Sequence, residues 1–345
     1  MTAQPAREDE AAPQAASAGV PAEIGLGDRV GLAIDVRGLV KFYSGVPAVR
    51  GIDLAIRRGE VFALLGPNGA GKTTTVEILE GYRTRDQGEV SVLGVDPGRQ
   101  RVRLKSRVGI VLQSTGIDPY LTVRETIAMY ADFYPRPRSP DEVIELVGLQ
   151  DKRNARVRRL SGGQQRRLDV GIALVGRPEL LFLDEPTTGF DPSARREAWG
   201  VIKNLATLGM TVLLTTHYMD EAQFLADRVA VIAAGRVVAE GAPETLGDPG
   251  LAATRIRYRP PADAAPPRGL TAAPGPDGYV EITPDDLVEA VHQLTGWAID
   301  HRVRLDGLQV IRPSLEEIYL ALTDPSSASG RVGPDRVGDQ PGGTA

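Results

Sequence analysis

Val61-Phe62-Ala63-Leu64-Leu65-Gly66-Pro67-Asn68-Gly69-Ala70-Gly71-Lys72-Thr73-Thr74 is an apolar run that breaks into a glycine-rich turn and then into a helix-forming segment. A short run of consecutive apolar residues bounded by turn signals fits a strand buried on both faces. The glycines let the backbone fold so that successive N–H groups point inward, a geometry that cradles phosphate oxygens. The following helix adds its positive end. In such a pattern Lys72 reaches the β and γ phosphates, and the Thr73 hydroxyl joins Mg2+. Gly66, Pro67, Asn68, Gly69, Ala70, Gly71, Lys72, Thr73 and Thr74 are therefore the expected nucleotide-contacting residues. The bland alternative is a glycine-rich turn before a helix, and the buried strand in front of the loop argues against it. Alone, the loop says only that a nucleoside triphosphate binds.

Further apolar runs follow: Val108-Gly109-Ile110-Val111-Leu112, Leu180-Leu181-Phe182-Leu183, Val212-Leu213-Leu214, and Val229-Ala230-Val231-Ile232 before a turn at Gly235. Helical segments separate them, the mark of a parallel α/β sheet. Upstream, Ile34 to Glu60 alternates apolar and polar residues and predicts antiparallel strands. The first four runs lead into Gly66 to Thr73, Gln113, Asp184-Glu185 and His217. Ligands of open parallel sheets sit beyond the carboxyl ends of the strands, so four segments deliver chemistry to one sheet edge. Asp184, ending a strand, suits a carboxylate that holds Mg2+. Glu185, one residue on, can polarise an attacking water. The neutral amide of Gln113 can touch both Mg2+ and that water. The His217 imidazole can donate a hydrogen bond to the γ-phosphate. The expected catalytic set is Glu185, His217, Gln113 and Lys72, and the metal set is Thr73, Gln113 and Asp184. His292 and His301 have no such context and read as surface residues.

Leu160-Ser161-Gly162-Gly163-Gln164 has its own logic. Ser161 can cap a helix starting near Gln164. Hydroxyl, glycine N–H groups and helix dipole then face one way and can hold an anion. One chain cannot easily bring this anion site to its own phosphate loop.

The order of these motifs resembles the nucleotide-binding subunit of ATP-binding-cassette (ABC) transporters, over roughly residues 34–246 with a tail continuing to about 323. The resemblance implies ATP and Mg2+ as cofactors and Glu185 as the general base. It implies a head-to-tail homodimer in the ATP-bound state, with Ser161, Gly162, Gly163 and Gln164 on the partner's γ-phosphate. Gln113 links nucleotide state to the membrane partner in this family. An aromatic stacks on adenine from the place of Tyr43, with Phe42 the competing candidate. Asp191, before Pro192, makes a good N-cap and N1 pair, and the resemblance adds a role at the dimer seam. The family more often has leucine where Phe190 stands. The end, Pro313-Ser314-Leu315-Glu316-Glu317-Ile318-Tyr319-Leu320-Ala321-Leu322, is similar to the tail of daunorubicin-resistance-type exporter ATPases. Before Leu160, Asn154 to Arg159 is simply basic, without the cross-linking loop of fused exporters. The expectation is an export ATPase on the cytoplasmic face of the cell membrane, peripheral, serving a separate polytopic permease. An importer ATPase is the nearest alternative, separated only by the tail. A soluble ABC ATPase on ribosomes or DNA would usually carry two cassettes or heptad insertions. A non-hydrolysing module would not keep Glu185 and His217.

The 345-residue chain allows one large domain and a small one, and 42% apolar content is ordinary for a globular protein. A net charge of −5, with most of the cationic residues arginine, invites no nucleic acid. Without cysteine there are no disulfides, thiolate metal sites or thiol nucleophiles. No window approaches the ~20 apolar residues that span a bilayer. Residues 1–33 lack the pattern of a secretory signal and read as disordered, as does the tail 324–345.

Between Gln113 and Ser161 the pattern is helical. Thr122-Val123-Arg124-Glu125 predicts a capping box, and a second helix is expected through Val143, Leu146 and Leu149. After Gly241, Arg255-Ile256-Arg257-Tyr258 reads as a strand. Thr283-Pro284-Asp285-Asp286 opens a helix with Leu287, Val291 and Leu294 on one face, and Ser314 caps another carrying Ile318, Tyr319 and Leu322. The expected fold is α/β: a P-loop NTPase ABC ATPase domain (34–246) with an antiparallel β subdomain and an inserted helical subdomain at about 114–170, then a small C-terminal α+β domain (250–323).

Overall fold

The computed structural model of the protein describes residues 31–112, 116–244, 246, 254–260, 267, 269–311 and 315–323. Gln113, the Ser314 cap, residues 261–266 and 268, and the terminal residues 1–30 and 324–345 lie outside those residues; Leu32 and Ala33, expected to belong to the unordered N-terminal segment, instead begin the first strand.

Two long strands, β1 (Leu32–Tyr43) and β2 (Val46–Arg57), open the chain as an antiparallel pair, followed by β3 (Val61–Leu65) and α1 (Lys72–Leu79). Next come β4 (Gln87–Val92), α2 (Arg101–Lys105) and β5 (Val108–Val111). A helical lobe holds α3 (Val123–Ala131) and α4 (Pro140–Leu146) and runs into α5 (Gly162–Leu174). The α/β pattern resumes with β6 (Leu180–Asp184), α6 (Pro192–Thr207), β7 (Thr211–Thr216), α7 (Met219–Leu225), β8 (Arg228–Ala233) and β9 (Arg236–Gly241). The C-terminal part contains β10 (Arg255–Arg259), β11 (Ala272–Pro274), β12 (Val280–Ile282), α8 (Leu287–Asp300), β13 (Asp306–Ile311) and α9 (Leu315–Thr323).

The central sheet has the order β5-β6-β7-β3-β8-β9. Its first five members are parallel, and β9 closes the edge antiparallel to β8. Each parallel strand buries both faces, as the unbroken apolar runs require. Val61, Ala63 and Leu65 face a core shared with Leu168, Leu174, Ile202 and Leu225. Phe62 and Leu64 face the opposite core with Ile34, Ile52, Val76 and Leu79. One layer is thus built by α5, α6 and α7, and the other by α1 and the antiparallel sheet β2-β1-β4.

The expected capping box of α3 is present: the Glu125 amide donates to Thr122 Oγ1 (3.2 Å), and the Thr122 amide donates to Glu125 Oε2 (2.8 Å). The second lobe helix is shorter than the expectation. It ends at Leu146, and Gly148 takes a left-handed φ of 63° that turns the chain before the buried Leu149. Glycine adopts this conformation without steric cost, so the apolar spacing outlasts the helix.

In the C-terminal part the antiparallel sheet β11-β12-β10-β13 packs Ile256, Tyr258 and Ile282 against Ala290 and Leu294 of α8. The stretch 283–286 opens α8 as expected, and within it Asp286 is the cap, accepting from the Glu289 amide at 2.9 Å. The last helix departs from the expected appendage: Leu315 and Ile318 of α9 join the core that contains Ala222 and Leu225 of α7. Arg255 reaches across to Glu317 at 2.5 Å, tying α9 to β10 as well.

Candidate functional site

The carboxyl ends of β3, β6 and β7 lie side by side, because Leu65 pairs with Thr216 and Asp184 with Thr215. Three of the four expected segments therefore meet at one edge of the described sheet. The fourth, Gln113, lies outside the described residues.

The loop after β3 is shaped for close approach of backbone. A Cβ on Gly66 would stand 2.3 Å from the Ile232 carbonyl, and one on Gly71 would stand 2.7 Å from the Ala48 carbonyl. Gly71 also holds φ 105°, where a side chain is strained. Pro67, Asn68 and Gly69 are exposed at the tip, while Ala70 is buried beneath. No side chain caps α1, so its first amides remain directed at the loop. Thr73 is exposed and Thr74 half-buried on that first turn. Lys72 folds back, its Nζ donating to the carbonyls of Gly66 (2.7 Å) and Pro67 (3.1 Å). Burial pushes its ammonium pKa down, opposed by the charges of Glu185 and Asp184. The lysine thus sits in the field of both carboxylates.

Asp184 Oδ1 accepts a hydrogen bond from Thr215 Oγ1 at 2.5 Å. The Glu185 amide donates to the Thr215 carbonyl and lies 3.1 Å from Thr215 Oγ1. Glu185 adopts φ 44°, a left-handed conformation costing a non-glycine residue roughly 1–2 kcal/mol. Such strain at a strand end is a mark of a functional position. Its carboxylate accepts from Thr188 Oγ1 (3.0 Å) and stands 3.4 Å from Nδ1 of His217. His217 follows β7 and packs against the Tyr218 ring, with centroids 4.1 Å apart and planes tilted by 38°.

Glu80, at the end of α1, is buried, and desolvation, with the charges of Asp184 and Glu77, raises its pKa to about 8. Glu221 of α7 is fully buried, accepting from Thr187 Oγ1 (2.7 Å) and Trp199 Nε1 (3.0 Å). It joins the loop after Glu185 to α6 and α7.

The Ser161 segment forms a full capping box. The Gln164 amide donates to Ser161 Oγ (3.3 Å), and the Ser161 amide donates to Gln164 Oε1 (3.1 Å). The helix begins at Gly162, two residues before the expected start. Ser161 and Gly162 are exposed, and Gly163 and Gln164 are half-buried. Gly163 lies close to α6: a Cβ there would meet the Ala194 Cβ at 3.1 Å. Asp191 caps α6 as expected of its sequence, accepting from the amides of Ala194 (3.0 Å) and Ser193 (2.8 Å), which hold its carboxyl pKa down. Tyr43 and Phe42 are both exposed at the end of β1. The Tyr43 ring carries the Arg83 guanidinium at 5.3 Å, and the Phe42 amide donates to Asp86 at 2.6 Å. His292 and His301 are exposed.

Sequence reasoning overlooked Thr215, Arg166 and Glu221. A hydroxyl at the end of an otherwise apolar strand is a readable signal for Thr215. Nothing marks Arg166, which sits in a run that reads as the basic face of a helix, or Glu221, which reads as an acidic first-turn residue.

Among the described residues no group of carboxylates and histidines forms a ready-made metal cage. The donors gathered here suit an ion that arrives with phosphate oxygens.

Residues 49–188 match the ABC transporter family, and residues 254–314 match the C-terminal domain of ABC transporter domain-containing protein-like proteins. The chain is 38% identical over 304 residues to the Nod factor export ATP-binding protein I of Rhizobium meliloti (strain 1021), covering 85% of this chain and 88% of that protein. It is 38% identical over 305 residues to the daunorubicin/doxorubicin resistance ATP-binding protein DrrA of Streptomyces peucetius, covering 84% and 92%. Among solved structures, a dimeric post-hydrolysis ATP-binding cassette bound to ADP and Pi superposes with a TM-score of 0.54 at 25% identity, over 61% of this chain and 98% of that one.

Proposed function

This chain belongs to the ATP-binding subunits of ABC transporters, in a family related to drug-resistance and Nod-factor exporters, and from that premise we propose that it binds and hydrolyses ATP to drive export through a separate membrane permease. The observation that carries the reading is the convergence of Lys72, Asp184, Glu185 and His217 on one sheet edge, with Glu185 and His217 only 3.4 Å apart.

In this reading Lys72 leaves the Gly66 and Pro67 carbonyls for the β and γ phosphates. Thr73, Gln113 and Asp184 would hold Mg2+. The bound ion supplies positive charge that offsets the charge developing on the transferred phosphoryl group. Glu185 takes the proton of the attacking water as its oxygen bonds to the γ-phosphorus. The bond to the β-phosphate oxygen breaks, and ADP and phosphate leave. His217, held beside Glu185, donates a hydrogen bond to a γ-phosphate oxygen. Tyr43, or Phe42, stacks on adenine.

Ser161, Gly162, Gly163 and Gln164 act on the γ-phosphate of a second copy, and Asp191 meets that copy at the seam. The exposed capping box and the dimeric relative support this part. The helical lobe passes closure to a polytopic permease, which places the subunit peripherally at the cytoplasmic face of the membrane. No described helix is long and apolar enough to cross a membrane. Export rather than import is supported by the names of the relatives.

Lys72→Ala is expected to abolish nucleotide binding or turnover in a steady-state ATPase assay. Glu185→Gln is expected to cut kcat by at least about 100-fold and to trap an ATP-bound dimer, read as a doubled mass on size exclusion. Wild-type turnover in Lys72→Ala removes the phosphate-loop assignment. A Glu185→Gln chain that stays monomeric with ATP removes the sandwich.

A further inference from the structure

Arg166 stands on α5 shortly beyond Ser161 and is buried, 8% exposed. Its guanidinium is directed at main-chain carbonyls from two strand ends. Nε donates to Pro186 at 3.1 Å, Nη2 donates to Asp184 at 2.9 Å, and Nη1 donates to Leu112. Asp184 and Pro186 flank Glu185, and Leu112 immediately precedes Gln113. Asp169, also on α5, lies 3.8 Å from the same guanidinium. A planar fork of five donors can hold three carbonyls in one arrangement, and an ammonium cannot reproduce that geometry. The Asp184 carbonyl belongs to the peptide unit that joins Asp184 to Glu185, the Pro186 carbonyl lies just beyond Glu185, and the Leu112 carbonyl fixes the end of the neighbouring strand.

We propose that Arg166 is a positioning residue through which ATP in one site of the dimer sets the carboxylate geometry of the other site. The inference rests on the sandwich dimer proposed above. In that dimer the amino end of α5 holds the γ-phosphate bound by the second copy. The same helix, through Arg166, holds the backbone on either side of this copy's own general base. A shift of α5 on engaging the foreign phosphate is therefore passed to Asp184, Glu185 and Leu112 through direct hydrogen bonds. The coupling works both ways, since a linkage between two binding equilibria is reciprocal.

The test uses the whole chain with Arg166→Lys and Arg166→Gln, each also in the Glu185→Gln background. Both variants are expected to bind nucleotide as monomers with parent affinity and, with Glu185→Gln, to form the ATP-dependent dimer. Their kcat is expected to fall about 10-fold or more, and the Hill coefficient for ATP to drop from the parent's value to unity. A lower kcat with the parent's Hill coefficient overturns the proposal, as does unchanged kinetics. Absence of the ATP-dependent dimer in Glu185→Gln alone instead overturns the sandwich reading. Should neither variant fold, hydrogen exchange on the Glu185→Gln chain decides: ATP is expected to protect amides of 184–188 and 108–112 together with α5. Protection of α5 alone overturns the proposal.

Discussion

Thr215 shows how much the site depends on a side chain that performs no chemistry of its own. Its hydroxyl fixes Asp184 Oδ1 at 2.5 Å, leaving the second carboxylate oxygen clear of that bond, the oxygen that would meet Mg2+ in the function proposed above. Thr215→Val keeps the shape of the buried strand and removes that bond, worth about 1.5–3 kcal/mol when the acceptor is charged. The expected outcome is a roughly 10-fold loss of kcat, the smaller end of that range, with a weaker dependence on Mg2+ in the ATPase assay. Glu80 gives a pH signature. A carboxyl raised from 4.5 to about 8 keeps its proton in the native state across that window, while the unfolded chain releases it. Native stability therefore falls as pH rises from 4.5 towards 8. Glu80→Gln removes this proton exchange. Thermal melts should show the variant gaining Tm over the parent towards pH 8 and no gain below pH 4.5. A parallel pair of Tm profiles would refute the assignment.

At the scale of elements, the strand runs and the turn at Gly66 were legible because burial on both faces leaves few polar residues inside a parallel strand, and those in β7 sit at its ends. Caps were legible where the capping side chain stands directly before the helix, as at Thr122, Ser161 and Asp191. At 283–286 the opening of a helix was legible but not its capping residue, because Thr283 and Asp286 both suit the role and only the chain path selects Asp286. The α4 terminus was misjudged because Leu149 continues the apolar spacing after Gly148 has ended the helix. Arg166 was opaque because its acceptors are carbonyls on distant strands, and carbonyls leave no trace in side-chain pattern. The capping box at Ser161 separates two roles. Ser161→Ala should cost about 1 kcal/mol of stability as a lost cap. If the same hydroxyl also serves a neighbouring copy's phosphate, kcat should fall by about 100-fold, as for a lost oxyanion donor. Comparing the Tm shift with kcat in one preparation resolves the two.

For the molecule as a whole, the arrangement of α9 has more reach than its length suggests. Leu315 and Ile318 are buried in the large core with α7, the helix that begins just after His217. Ile318→Ala should cost about 2–5 kcal/mol, the usual range for emptying such a position, measured as a drop in Tm of the cassette transition. If the small C-terminal sheet melted as an independent appendage with α9, the cassette transition would stay unchanged. The change in composition near Gly241 is what suggested a division into cassette and C-terminal part. The return of α9 was not readable, because an amphipathic helix announces that it needs an apolar partner without saying which one. Removing everything after the cassette would strip a lid from Ala222 and Leu225 of α7, so the amputated cassette would expose a greasy scar and aggregate.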